Sequence, residues 1–464
     1  MLRYIADGLS RYINEEHYPW HMPGHKRSVP EIKYDTDNML KEIMHYDVTE
    51  VPGVDDLHHP EGMIKKSQDE MTKVYGTFAS YYLVNGSTCG IMTAITACAK
   101  RYTDDKTKNI LIAKNCHKSV FNTAALLSLN SIYMDIPKLG EDIYGSVNPD
   151  EVERLCMENE NICAIVITSP TYEGIISDIA AIKNITGRYN IPLIVDEAHG
   201  SELPFVDELP QSAIAVGADI VIQSLHKTLP SMTQTAVLHL NNKELNDGIK
   251  KYLSVYMSSS PSYPMLCSME YAVAWASENN HDEYIFNLKK FREKAKTLKH
   301  LKLLGRNCGE GNSCDNIGDS IYDYDITRLV FIADKGDKIN GKMLSDMLER
   351  EGDIVSEMSG LCHVVLISSI CDSKSDFCHL YDTLKKIDDN YQELISEWTD
   401  SYKSEINKEN IIGELDKLAG KRAEGDIYVY PPGIPIITTG ALINDEHVRL
   451  LKRYAEEGRR IFGI

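Results

Sequence analysis

The chain of 464 residues has no stretch approaching the ~18 uninterrupted apolar residues that a membrane-spanning helix needs. Its start lacks the apolar centre of a secretory signal: Arg3, Asp7, Arg11, Glu15 and Glu16 interrupt an amphipathic pattern. The expectation from these absences is a cytoplasmic protein without a membrane partner. Basic residues are scarce, 49 Lys and Arg against 69 Asp and Glu, for a net charge of −20 with histidines neutral. Phosphate backbones are held by clustered Lys and Arg, so no nucleic-acid partner is expected. An acidic body does attract cationic small molecules, weakly and in a salt-dependent way. No two of the eleven cysteines have C-x-x-C spacing. Zinc favours closely paired thiolates, and secreted disulfide scaffolds are shorter and richer in cysteine. The cysteines therefore read as reduced and mostly buried, with no metal expected. Repeats and low-complexity segments are absent too, and 43 % hydrophobic with 25 % charged residues is ordinary globular composition.

What the chain does have is alternation. From about residue 66, short apolar runs alternate with helical stretches: SYYLVNG (80–86), NILIAKN (109–115), SIYMDI (131–136), CAIVITSP (163–170), PLIVDEA (192–198), DIVIQSL (219–225) and TAVLHL (235–240). Between them lie amphipathic stretches such as 119–129, 149–158 and 178–188. Buried β-branched strands alternating with helices predict an α/β domain with a mostly parallel sheet. Past about residue 300 the pattern becomes strand 327–333, helix 340–352, strand 362–370 and helices at 374–390 and 391–404, a smaller α+β unit. The expected division is an N-terminal segment 1–65, a large domain 66–300 and a small domain 301–464.

Polar groups of chemical interest gather at the C-terminal ends of the predicted strands, the edge where open parallel sheets bind ligands. After the first strand, Asn85-Gly86-Ser87-Thr88 leads into a helix, offering N–H and hydroxyl donors to an anion; an ordinary turn and N-cap would look the same. After the second comes His117, which could stack on an aromatic ligand, transfer protons or serve only the structure. After PLIV stands Asp196, followed by Glu197, Ala198 and His199. An acid ending a buried strand is costly without a positive partner, and a protonated ring nitrogen would serve. After DIVIQ come Ser224, Leu225, His226 and Lys227, and a lysine there can form a Schiff base if its pKa is lowered. A lysine for an aldehyde, an acid for a pyridine nitrogen, a stacking face and phosphate donors, in this order along strand ends, describe a site for pyridoxal 5′-phosphate.

These residues resemble the Orn/Lys/Arg decarboxylase family of fold type I enzymes (the aspartate aminotransferase fold), and most closely its short bacterial forms without an N-terminal receiver-like wing domain. The resemblance is carried by HMPGHK (21–26), DVTEVPGVDDLHHPEG (47–62), VNGST (84–88), NCHKS (115–119), SPTYEG (169–174), VDEAHG (195–200), QSLHKTL (223–229), SSSPSYPML (258–266) and YPPGIP (430–435). It implies that Lys227 carries the cofactor, that Asp196 pairs with the pyridinium nitrogen, and that Ala198 and His117 flank the ring. Gly86, Ser87, Thr88, Ser224 and His226 hold the phosphate, and His199 stands near the reacting centre. It further implies a homodimer or higher homo-oligomer, with loops 47–60 and 258–264 completing the partner's pocket. One departure is local: where the family continues with Pro-Gly-Glu after YPPGIP, this chain has Ile436-Ile437-Thr438-Thr439.

The implied reaction is α-decarboxylation of a basic amino acid. Arginine is the first choice, giving agmatine, then lysine and then ornithine, and the absent wing domain points to polyamine biosynthesis. A cationic side chain calls for carboxylates, and Glu50, Asp55 and Asp56 are the candidates, each of which could equally be part of a solvated acidic loop. Two alternatives stand beside this. An aminotransferase shares the lysine and aspartate but clamps the substrate carboxylate with an arginine, for which Arg328 is the candidate. A non-catalytic PLP-binding regulatory paralogue would bind cofactor without turnover.

Overall fold

The computed structural model describes all residues except 1, 16–17, 28–38, 102–106, 141, 306–319, 334–338, 396–414, 431–432 and 458. Runs such as CAIVIT, LIVD and IVIQ are apolar on both faces, so they are stable only between two helical layers. They form β1 (Ala79–Leu83), β2 (Asn109–Ala113), β3 (Asn130–Met134), β4 (Ile162–Thr168), a two-residue β5 (Ile175–Ile176), β6 (Leu193–Asp196), β7 (Ile220–Gln223) and β8 (Ala236–Leu240). Seven of these make one sheet in the order β1-β8-β7-β6-β4-β2-β3. Neighbours from β7 to β3 are parallel, and β8 runs antiparallel to both β7 and β1. The periodicity could not distinguish β8 from its neighbours. It is reversed because the connection 224–235 contains only the four-residue helix Leu225–Thr228, too little for a crossover back to the far end of the sheet.

The helix Gly86–Ala99 is almost wholly apolar and lies buried against the sheet, whereas Tyr4–Asn14 buries only Ile5, Leu9 and Tyr12. The backbone N–H groups of Ile5 and Ala6 donate to the buried carboxylate of Glu270, which satisfies the free donors at that helix start. Beyond residue 300 the predicted strands 327–333 and 362–370 appear as β11 (Arg328–Ala333) and β13 (His363–Ile367), and the predicted helices as Gly341–Gly352 and Lys374–Asp389, while β9 (Leu301–Leu303), β10 (Asp323–Tyr324) and β12 (Met358–Ser359) are additions that the sequence pattern did not announce. The second sheet has the order β12-β13-β11-β9, while β10 pairs with β5. The predicted helix 391–404 lies largely outside the described residues.

A third sheet joins β14 (Ile427–Val429), β15 (Pro435–Ile437) and β16 (Ile461–Phe462), with the helix Asp445–Glu456 packed on it through Val448 and Leu451. Here the departure after YPPGIP takes its place: Thr439 donates from its N–H and its hydroxyl to Asp426 Oδ1, 2.8 Å each, closing the turn after β15. Among the described residues no helix is long and apolar enough to cross a membrane.

Candidate active site

The parallel ladder sets the site. Thr168, Asp196 and Ile222 are register partners, so the residues after β4, β6 and β7 emerge side by side. Lys227 follows β7 in its four-residue helix, and its Nζ lies 2.9 Å from Nε2 of His199, three residues past β6. Burial drives the Lys227 amine down from its ordinary value, while the negative charges of Asp196 and Glu357 oppose that shift. His199 is held well below its ordinary value by burial and by the charge of Lys227, so its ring is neutral and can accept the lysine's hydrogen bond.

Asp196 is 3 % exposed, and burial pushes its carboxyl up although Lys227 pulls the other way. Its Oδ1 accepts from Ala198 N–H at 3.2 Å, and among the described residues no cationic side chain reaches it within ion-pair distance. A buried acid of this kind suits the protonated nitrogen of a pyridine ring. His117 sits on the opposite side of the sequence pattern, as N-cap of the helix Lys118–Leu126, with Nδ1 accepting from Ser119. Burial and the charges of Lys227 and Lys118 lower it to about 4.

The candidate anion-binding residues come from neighbouring strand ends. Ser87 and Ser224 hydroxyls lie 2.7 Å apart although 137 positions separate them. Gly86 opens its helix at φ +77°, a left-handed conformation that favours glycine. His226 Nδ1 faces the Thr235 carbonyl at 2.8 Å, while Thr88 is exposed. These donors at a helix start fit a phosphate, and with Asp196 and Lys227 they fit pyridoxal 5′-phosphate.

The three acidic candidates for substrate binding fare differently. Asp55 is the capping residue of the helix Met63–Tyr75: its carboxylate accepts from the N–H groups of Asp56, Glu61, Gly62, Ile64 and Lys65 at 2.8–3.2 Å. Those five amides occupy it, so the expectation that it reads a substrate cation gives way to a structural task. Asp56 accepts from His58 N–H and faces His59. Glu50 is bonded by the Thr49 hydroxyl at 2.6 Å, with Ser260 at 3.5 Å. Loops 47–60 and 258–264 meet each other through His58 and the Ser258 carbonyl, and Ser258 N–H donates to Asn85 beside the phosphate turn.

Sequence reasoning gave no role to Tyr172 or Glu357, and it left the tasks of Glu197 and Arg328 open. Tyr172, quoted only as part of SPTYEG, packs against His199 in a tilted arrangement with ring centroids 4.2 Å apart and lies under the Lys227 ammonium at 5.4 Å. Glu357 lies within electrostatic reach of Lys227, His226 and Tyr172. Glu197, next to Asp196, turns into the core instead and accepts from Ser212, Ala213 and Gln223; burial raises it to about 7. Arg328 is fully buried, paired with Glu202 (3.5 Å) and Asp325 (3.6 Å), and its guanidinium donates to the His199 carbonyl. It is a strut under His199. Strand alternation could have separated Asp196 from Glu197, but no sequence signal ties Glu357 to this place, and Arg328, expected as a carboxylate clamp, is paired with Glu202 and Asp325 instead.

Fold and site together define a fold type I enzyme that uses pyridoxal 5′-phosphate. The solved lysine decarboxylase LdcF of Francisella novicida superposes with a TM-score of 0.81 at 20 % identity, over 100 % of this chain and 79 % of that one. The sequence pattern of "Orn/Lys/Arg decarboxylase, major domain" matches residues 5–376, and the chain belongs to this family of PLP-dependent amino acid decarboxylases. Among its relatives, the uncharacterized protein YaaO of Bacillus subtilis (strain 168) is 30 % identical over 97 % of this chain and 93 % of its own. The arginine decarboxylase of Bacillus anthracis is 27 % identical over 96 % and 91 %.

Proposed function

We propose that the protein converts L-arginine to agmatine and CO2. The observation that carries the site assignment is the Lys227–His199 pair, 2.9 Å apart beside a buried Asp196. When bound, pyridoxal 5′-phosphate supplies an electron sink for the bond broken at the substrate's α-carbon. The chain's own residues do the rest. Lys227 would hold the cofactor through its amine. Asp196 keeps the proton on the ring nitrogen, Ala198 and His117 flank the ring, and Gly86, Ser87, Thr88, Ser224 and His226 hold the phosphate. Lys227, with His199 as its hydrogen-bond acceptor, returns a proton to the α-carbon after CO2 leaves. Glu357 and, from the loop 47–60, Glu50 and Asp56 face the cationic end of the substrate.

Arginine is preferred because the relative named arginine decarboxylase matches 96 % of this chain at 27 % identity, whereas the constitutive lysine decarboxylase of Escherichia coli matches 59 % of it at 24 %. The aminotransferase alternative loses its carboxylate clamp, since Arg328 is spent on Glu202, Asp325 and the His199 carbonyl. A second copy of the chain completes the enzyme. The helix Met39–Tyr46 buries none of its residues, and Met39, Leu40, Ile43 and Tyr46 are exposed, with Trp20 and Met22 also exposed. An apolar surface of this kind is a subunit interface in waiting.

The test is a competition assay: purified protein with PLP in equimolar arginine, lysine and ornithine, amines identified by mass spectrometry. Agmatine as the main product is expected. Cadaverine or putrescine in its place overturns the substrate, a keto acid revives transamination, and bound cofactor without any product revives the regulatory reading.

A further inference from the structure

Three side chains that the reaction does not use converge where the loop after β3 meets the second sheet. Asp142 belongs to that loop, and Cys362 and His363 stand at the start of β13. A carboxylate oxygen, a sulfur and a ring nitrogen from these residues all lie within 4.8 Å of one another. His363 is 1 % exposed, and neither of its ring nitrogens has a hydrogen-bond partner. Asp142 Oδ1 is also buried and unpartnered. Leaving a buried polar atom unpaired costs about 1–3 kcal/mol, and buried polar groups are almost always paired. A simple imidazolium–carboxylate pair does not resolve this. Nδ1 and Oδ1 are 3.5 Å apart without hydrogen-bond geometry, and Nε2 remains unpaired. That separation is instead close to the edge of a tetrahedron, about 3.4 Å, whose N and O corners each lie ~2.0–2.1 Å from a zinc ion.

The surroundings orient the donors as outer-shell groups do. Asp142 Oδ2 accepts from Leu361 N–H at 2.6 Å and from the Tyr454 hydroxyl at 3.4 Å, which turns Oδ1 to the histidine. Residue 360 must be glycine, because a Cβ there would come 1.9 Å from Cε1 of His363. Asp142 and His363 also line a cavity of about 250 Å³ with Tyr144, Glu173 and Tyr454.

We propose that Asp142, Cys362 and His363 form a zinc site whose fourth position faces this cavity. Sulfur, imidazole and carboxylate donors suit zinc better than the hard, all-oxygen cations. The ion would clip the β3–β4 crossover to β13 and, through Tyr454, to the helix Asp445–Glu456. Zinc binds the thiolate and the neutral imidazole, so binding releases protons and weakens in acid.

The experiment uses the PLP-loaded protein, dialysed in metal-free buffer and titrated with ZnCl2 against a colorimetric chelator, with bound metal measured by mass spectrometry. About one tight zinc per chain is expected, lost in Cys362→Ser and His363→Gln and kept in Cys371→Ser, an exposed cysteine elsewhere. Added zinc should raise the thermal midpoint of the wild type and not of the first two variants. No tight zinc uptake by the wild type, or uptake unchanged in both variants, overturns the proposal. Should a variant misfold by circular dichroism, CoCl2 on the wild type decides. A tetrahedral cobalt spectrum with a thiolate charge-transfer band supports the site, and a spectrum without that band overturns it.

Discussion

A single amine buried beside a neutral imidazole behaves unlike a surface lysine. Lys227 is half-buried, its amine is lowered by burial and it is bonded to His199 at 2.9 Å, so it gives up its proton more readily than a surface lysine. Lys227→Ala should cost kcat at least roughly 10²–10⁴-fold, the range for a lost proton-transfer group, and abolish the covalently held cofactor's absorbance. Asp55→Ala should behave as a lost helix cap. Stability falls by about 0.5–2 kcal/mol in urea titration, while KM for the amino acid stays put. A raised KM with unchanged stability would return Asp55 to the substrate pocket. Arg328→Met leaves Glu202 and Asp325 buried without their cation, a loss of about 3–5 kcal/mol in the same titration. A carboxylate clamp would instead raise KM and spare the fold. These residues differ in legibility. Lys227 and Asp196 follow apolar strands and stand out, whereas Arg328 looks like any strand-opening arginine until Glu202, 126 positions earlier, is seen beside it.

Among the elements, the antiparallel β8 carries the clearest pH signature. His239 lies opposite Ser80 in the β1–β8 ladder, its Nδ1 2.9 Å from the serine hydroxyl and its ring on Tyr75. Burial lowers it to about 3, whereas the unfolded chain titrates near 6.5. The unfolded state therefore binds the proton first as pH falls. The stability from a neutral His239 is fully present above ~6.5 and declines toward 3, by about 2 kcal/mol between pH 6.5 and 5. His239→Gln should flatten the unfolding free energy over that interval by about this amount. An unchanged slope would show that the ring protonates in place. The strand itself was legible from TAVLHL, but its direction was not, because direction depends on the connection's length and not on which side chains are apolar.

At the scale of the molecule, Met39, Leu40, Ile43 and Tyr46 present the exposed apolar surface proposed to meet a second copy of the chain. Ile43→Glu puts a charge on that apolar surface. On that proposal it should shift the sedimentation profile toward monomer relative to the wild type and lower activity with it. A monomeric wild type with full activity would contradict this.

The sequence by itself determined the α/β class, the strands and the chemistry at their ends. Buried β-branched runs have few alternatives to a covered parallel sheet, and the residue after each run must emerge at one edge. Only the tertiary structure decided which acids are free. Asp55 is taken by five amides, Glu197 by a core serine, an amide N–H and a glutamine, and Glu357 comes within electrostatic reach of Lys227 from the loop before β12. Asp55's amides lie within 10 positions of it and Glu197's partners within 26, yet such pairings leave no periodic trace, because register and loop path fix them and composition does not.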